Sequence, residues 1–167
     1  MIKEFNETQR VGNWIYILLS TDLLVVSLIL YNDVKKGNMS MNEFMFSLGM
    51  ILLLNVFIAL FIRFSALYTK VDAQGVSYKY PPFCIKWKLI PFENINDFQI
   101  QNYSSMNHGY GVGKWNFFSK TDSITSIGTD KAIKINYNSK KPILIGTQKA
   151  SEFYNAIRKF KSKEYEI

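Results

Sequence analysis

Two long apolar runs with a short polar stretch between them set the pattern of the N-terminal part of the chain. They are Trp14–Tyr31 (WIYILLSTDLLVVSLILY) and Phe44–Phe64 (FMFSLGMILLLNVFIALFIRF). As helices they would span roughly 27 Å and roughly 31 Å, against a hydrocarbon core about 30 Å thick. The connection carries Asn32, Asp33, Lys35, Lys36 and a turn-forming Gly37. The pattern predicts a transmembrane helical hairpin over residues 13–66. Aromatic residues stand at the ends of the runs, with Trp14, Tyr16 and Tyr31 on the first and Phe61, Phe64 and Tyr68 where the second ends, as at membrane–water interfaces. Residues 1–12 are short and polar, and the expectation is a segment lying along the interface with Phe5 as its anchor.

After Ala66 the period changes. Short alternating pieces follow: Tyr68–Val71, Val76–Tyr80, Phe83–Leu89, Ile95–Tyr103, Lys114–Phe118, Ser123–Ile127, Ala132–Tyr137 and Ile143–Gly146. Gly75 supplies the positive φ of a tight turn after Asp72, and Pro81-Pro82 breaks the next strand. In Phe83–Leu89 the apolar Phe83, Ile85, Trp87 and Leu89 share one face and Lys86 and Lys88 the other, which predicts a half-buried antiparallel hairpin. Gln148 to about Lys161 places Ala150, Phe153, Ile157 and Phe160 on one stripe of a helix, with Thr147 as its cap. The expected class is a membrane α-hairpin followed by an α+β domain, residues 67–167, built as about seven short strands and one C-terminal helix.

Charge sharpens the division. The formal net charge is +7, and from Arg63 onward sixteen Lys and Arg face eight Asp and Glu. A basic domain at a bilayer is attracted to anionic headgroups by about 1 kcal/mol per cation near the surface; a solvated basic surface is the plainer alternative. Lys3, Arg10, Arg63 and Lys70 flank the outer ends of the hairpin, against Lys35 and Lys36 in its loop. That bias favours both termini inside. The first apolar run is longer than a signal-peptide core and lacks a small-residue cleavage site, so it reads as a retained anchor.

Two polar side chains interrupt the spans near their middles. An ionised Asp22 there costs about 2.5–3.5 kcal/mol on insertion scales. A hairpin turning near Gly37 brings residue 22 to about the depth of Asn55, so the two are expected to meet, Asp22 donating. The alternatives are that Asp22 bonds a backbone carbonyl such as that of Leu18, or a second copy of the chain.

Three short stretches carry a resemblance: Asp72-x-x-Gly75, Ile90-Pro91-Phe92-Glu93-x-Ile95, and Ile143-Leu144-Ile145-Gly146-Thr147-Gln148 running into the last helix. With the hairpin ahead of them they resemble bacterial membrane proteins in which two helices precede a pleckstrin-homology (PH) type domain. The resemblance implies a seven-stranded antiparallel barrel over Leu67 to Phe160, an inner-membrane location, and a group mostly without an assigned activity. PH domains of eukaryotes often bind phosphoinositides through basic residues of the first hairpin loop. Here that loop, Tyr80-Pro81-Pro82-Phe83, has no Lys or Arg; Lys79, Lys86 and Lys88 only flank it. These three are the candidate lipid-facing residues.

Catalytic chemistry finds little to work with. Cys84 is the only cysteine and His108 the only histidine, so no disulfide or thiolate metal cluster is possible within the chain and a Cys–His pair has one way to form. Gly109-Tyr110-Gly111-Val112-Gly113-Lys114 lacks the first glycine and the Ser or Thr of a phosphate loop. Tyr110, Trp115, Phe117 and Phe118 read as packing residues. The expectation is a non-enzymatic protein without cofactor or metal: an interaction or scaffold protein of the membrane. Recognition of anionic lipid is the alternative. Its partners are the bilayer, anionic lipid, and a second copy or another membrane protein, but not nucleic acid.

Overall fold

The computed structural model describes residues 4–103, 111–112, 122–125, 129–138 and 141–164. They fall into two compact units, Gly12–Phe64 and a second composed of the N-terminal residues together with Ser65 onward.

The first unit is a pair of helices, α1 (Trp14–Lys35) and α2 (Met41–Phe64). Both are long and apolar enough to cross a membrane, and neither has a buried residue. Gly37 turns the chain at φ +75°, and Ser40 and Glu43 bond reciprocally through side chain and backbone N–H at the start of α2, a capping box that starts the second helix. The half-buried positions of α1 include Leu19, Leu23, Val26 and Leu30; those of α2 include Phe44, Leu48, Ile51, Asn55, Ile58 and Ile62. Spacings of three and four put each set on one stripe, where the helices meet. Most of the rest of each surface is apolar and exposed, with Ser20, Thr21 and Asp22 among the exceptions on α1.

The second unit holds nine strands among the described residues. One sheet has the order β1 (Phe5–Arg10), β2 (Ala66–Asp72), β3 (Gly75–Tyr80), β4 (Cys84–Pro91). The other has β5 (Ile95–Asn102), β8 (Lys131–Tyr137), β9 (Ile143–Thr147), β7 (Asp122–Thr125) and β6 (Gly111–Val112), in that order. Pairing is antiparallel except between β7 and β9. The final helix, α3 (Ala150–Glu164), lays Phe153, Ala156 and Ile157 into a core shared with Leu67, Val71 and Val76 of the first sheet and Ile133, Ile135 and Ile145 of the second. The expected strands over Lys114–Phe118, and His108, lie outside the described residues.

Four expectations are corrected. The N-terminal segment is not an interfacial strip: Phe5–Arg10 is a strand in full register with β2, Phe5 opposite Val71 and Arg10 opposite Ala66. The helical unit is therefore inserted between two adjacent strands of one sheet, and the domain is not confined to residues 67–167. Phe5 is 6% exposed, its ring stacked on Phe153 at 4.9 Å. Alternation explains it, because Phe5, Glu7 and Gln9 all face inward.

The polar members of that row are fully used. Glu7 accepts from the Thr147 hydroxyl at 2.6 Å and from the Gln148 N–H at 2.8 Å. Gln9 donates to the Gly146 carbonyl at 2.7 Å and accepts from Thr129. A carboxylate beside the start of α3 is also favoured by the helix dipole. Thr147, expected as the helix cap, bonds the Lys149 N–H instead, and the helix begins two residues later than the cap position required. Glu7→Ala should cost about 2–3 kcal/mol, since it strips two charge-assisted bonds, one from a buried and one from a half-buried donor. Glu7→Gln should cost about half as much, because the amide can accept only one of them. Denaturant unfolding of the full chain in micelles measures both; a Glu7→Ala chain within 0.5 kcal/mol of the parent, on the order of a neutral surface change, would remove this network from the account.

The fourth correction concerns β4. Its apolar residues were expected on the half-buried face, yet Ile85, Trp87 and Leu89 point outward. Ile90, 5% exposed and opposite Val76, occupies the core and fixes the parity. A one-residue choice of parity sends every side chain of a strand to the other face.

Candidate functional site

The outward face of the first sheet is polar on β1 and becomes apolar on β4. Thr8 and Arg10 stand on β1; Tyr68 and Lys70 on β2; Ser77 and Lys79 on β3. On β4, at the edge of the sheet, Ile85 is 74% exposed, Trp87 49% and Leu89 45%, and Phe83 in the preceding turn is 48% exposed. Three large apolar side chains in one row on an edge strand, with Phe83 in the turn beside them, form the kind of patch that marks an interaction surface.

Lys79 is built into this face. Its ammonium lies over the Tyr68 ring at 4.7 Å and the Trp87 ring at 4.8 Å, so cation–π attraction holds it between the two. Lys70 is occupied differently, bonded to Asp72 at 2.9 Å and near Glu4 at 3.7 Å. Lys86 and Lys88 project from the opposite face of β4, where they are exposed although Lys88 is paired in register with the buried Tyr78. The three candidate lysines thus surround one strand edge but do not share one face. The β3–β4 turn carries a cis bond between Pro81 and Pro82 and packs Phe83 against Tyr80, centroids 5.6 Å apart.

No acid–base pair is built into this surface. The Cys84 thiol donates to the Lys86 carbonyl at 3.3 Å. Burial drives the Tyr78 phenol far above its ordinary value, and Tyr80 and Tyr137 are raised for the same reason. Such phenols stay neutral and serve in packing, Tyr78 and Tyr80 within the core and Tyr137 against it. Among the described residues no group of three His, Cys, Asp or Glu is placed to hold a metal ion.

The polar pair of the two apolar helices is arranged otherwise than expected. Tyr31 and Phe44 pack edge-on at 6.4 Å across the hairpin, which sets Asn55 at about the depth of Leu19 to Leu23. The depth argument therefore works, but rotation about the helix axis defeats the contact. Asn55 faces α1, donating to the Ile51 carbonyl at 3.1 Å, with its Oδ1 buried and unpartnered. Asp22 is exposed on the flank of α1 beside the stripe that meets α2, and no hydrogen bond or ion pair joins it to another described residue. Its neighbours Ser20 and Thr21 bond back to the carbonyls of Tyr16 and Leu18.

Sequence reading missed the apolar row of β4 as a surface, because alternation alone does not say which face is inside. Four aromatic or aliphatic residues beside two lysines were the available signal. No protein-family model, no curated protein and no solved structure matches this chain.

Proposed function

We propose that this protein is a membrane-anchored recognition module whose strand-rich domain binds anionic lipid headgroups through the β4 edge. The carrying observation is the exposed row Phe83, Ile85, Trp87 and Leu89 with Lys79 clasped between Tyr68 and Trp87. Amphipathic rings suit the headgroup boundary, and lysine stems lie on apolar surface while their ammonium groups reach phosphate. Lys86 and Lys88, on the other face of the strand, are free to reach headgroups beside the row. The PH-type resemblance supports a headgroup-binding module of this class, with the strand edge taking the part that the uncharged Tyr80–Phe83 loop does not. The basic residues around the outer ends of the hairpin favour the cytoplasmic side of a bacterial inner membrane. The broader scaffold reading is favoured by a separate observation on α1, taken up below.

Quenching of Trp87 by brominated lipid tests the proposal on the full chain in nanodiscs, with Trp14→Phe and Trp115→Phe leaving one indole. Quenching is expected in anionic discs. It should fall as salt shortens the Debye length, and in the triple variant Lys79→Gln, Lys86→Gln, Lys88→Gln. An indole equally unquenched in neutral and anionic discs at low salt would refute the reading.

A further inference from the structure

An acidic side chain in the middle of a membrane span is expensive unless something meets it, and α2 does not meet Asp22. The side chain stands on a stripe of α1 with Leu18, Val25 and Ile29, which are 52%, 51% and 56% exposed. The intervals of four, three and four are those of the seam that α1 already makes with α2 through Leu19, Leu23, Val26 and Leu30. The stripe is therefore shaped for a second helix.

We infer that this stripe is the self-association surface of the protein, with Asp22 of one chain against Asp22 of a second copy across a two-fold axis. Symmetry favours this occupant. A second copy inserted with the same topology carries its Asp22 at the same depth, whatever the tilt of the pair. A carboxyl group in its acid form is both donor and acceptor, so two facing carboxyl groups can hydrogen-bond one another without a cation. A different membrane protein would have to bring a basic or amide side chain to that depth, and the chain's own spans have none available. Lys35 and Arg63 stand at helix ends, and Asn55 faces α1 of its own hairpin. The surface rests on α1 crossing the bilayer and is independent of the β4 edge.

Single-cysteine cross-linking of the full chain in lipid vesicles tests it, in a Cys84→Ser background. Val25→Cys, on the stripe, should give a covalent dimer. Leu54→Cys, 56% exposed on α2, should stay monomeric at the same lipid dilution. Asp22→Leu should weaken the Val25→Cys dimer about three- to fifteenfold, the range of one interhelical polar contact in a bilayer. Asp22→Asn should keep it within about twofold, since paired amides also bond across the axis. Val25→Trp, which leaves the carboxyl in place, should reduce dimer measured by energy transfer between labelled chains. Alkaline extraction of every variant, compared with the parent, separates loss of pairing from loss of insertion. A dimer unchanged by both Asp22→Leu and Val25→Trp, or Val25→Cys cross-linking only to another protein, overturns the inference.

Discussion

Phe153→Ala is expected to destabilise the strand-rich domain by about 3–5 kcal/mol, the usual cost of truncating a fully buried phenylalanine. Phe153 is 0% exposed and lies where α3 meets both sheets. Its ring stacks within 4° of parallel on Phe5, which belongs to the strand that leads into α1. The damage should therefore appear at β1 as well as at α3. Hydrogen exchange in micelles should show the amides of Phe5–Arg10 losing protection before those of β8 and β9. A double-mutant cycle isolates the pair: Phe5→Leu and Phe153→Leu should couple by about 0.5–1.5 kcal/mol. Additivity within about 0.3 kcal/mol would show that the rings are neighbours without being partners.

Gly75→Ala is expected to cost more than about 3 kcal/mol for a single added methyl group. Gly75 sits at φ +145°, where a side chain is strained by about 1–3 kcal/mol before any contact is counted. The added Cβ would also fall 2.2 Å from the Ile90 carbonyl oxygen and 2.9 Å from Pro91 Cα. Both are backbone atoms of β4, so relief requires the strand itself to move. Gly37→Ala is the matched control: its φ is +75° and open space surrounds the added atom, so about 1 kcal/mol is expected. Equal losses in the two variants would mean that the β3–β4 approach is looser than the geometry indicates. Displacement of β4 should carry Trp87 with it and reduce the lipid quenching proposed for the parent chain.

The amino-acid sequence by itself determined the elements that depend on local pattern. Apolar runs of membrane-spanning length, a turn at Gly37, a positive φ at Gly75 and an amphipathic last helix all follow from composition and period, and each stands where that pattern puts it. The depth of Asn55 relative to α1 followed too, because rise per residue is fixed once the turn is known. Tertiary structure decided what local pattern leaves open. Phe5–Arg10 is too short and polar to announce itself as a strand, and its partner β2 lies beyond the whole helical hairpin, across residues 11–65. Only long-range pairing and the buried bonds of Glu7 and Gln9 reveal it. The two faces of β4 were legible as two sets of residues, but burial of Ile90 against Val76 chose which set met water. Asp22 and Asn55 failed to meet for a related reason. Spacing fixes height along a helix, whereas rotation is settled by the stripe that packs best, and Leu19, Leu23, Val26 and Leu30 turned the carboxyl of Asp22 away from α2.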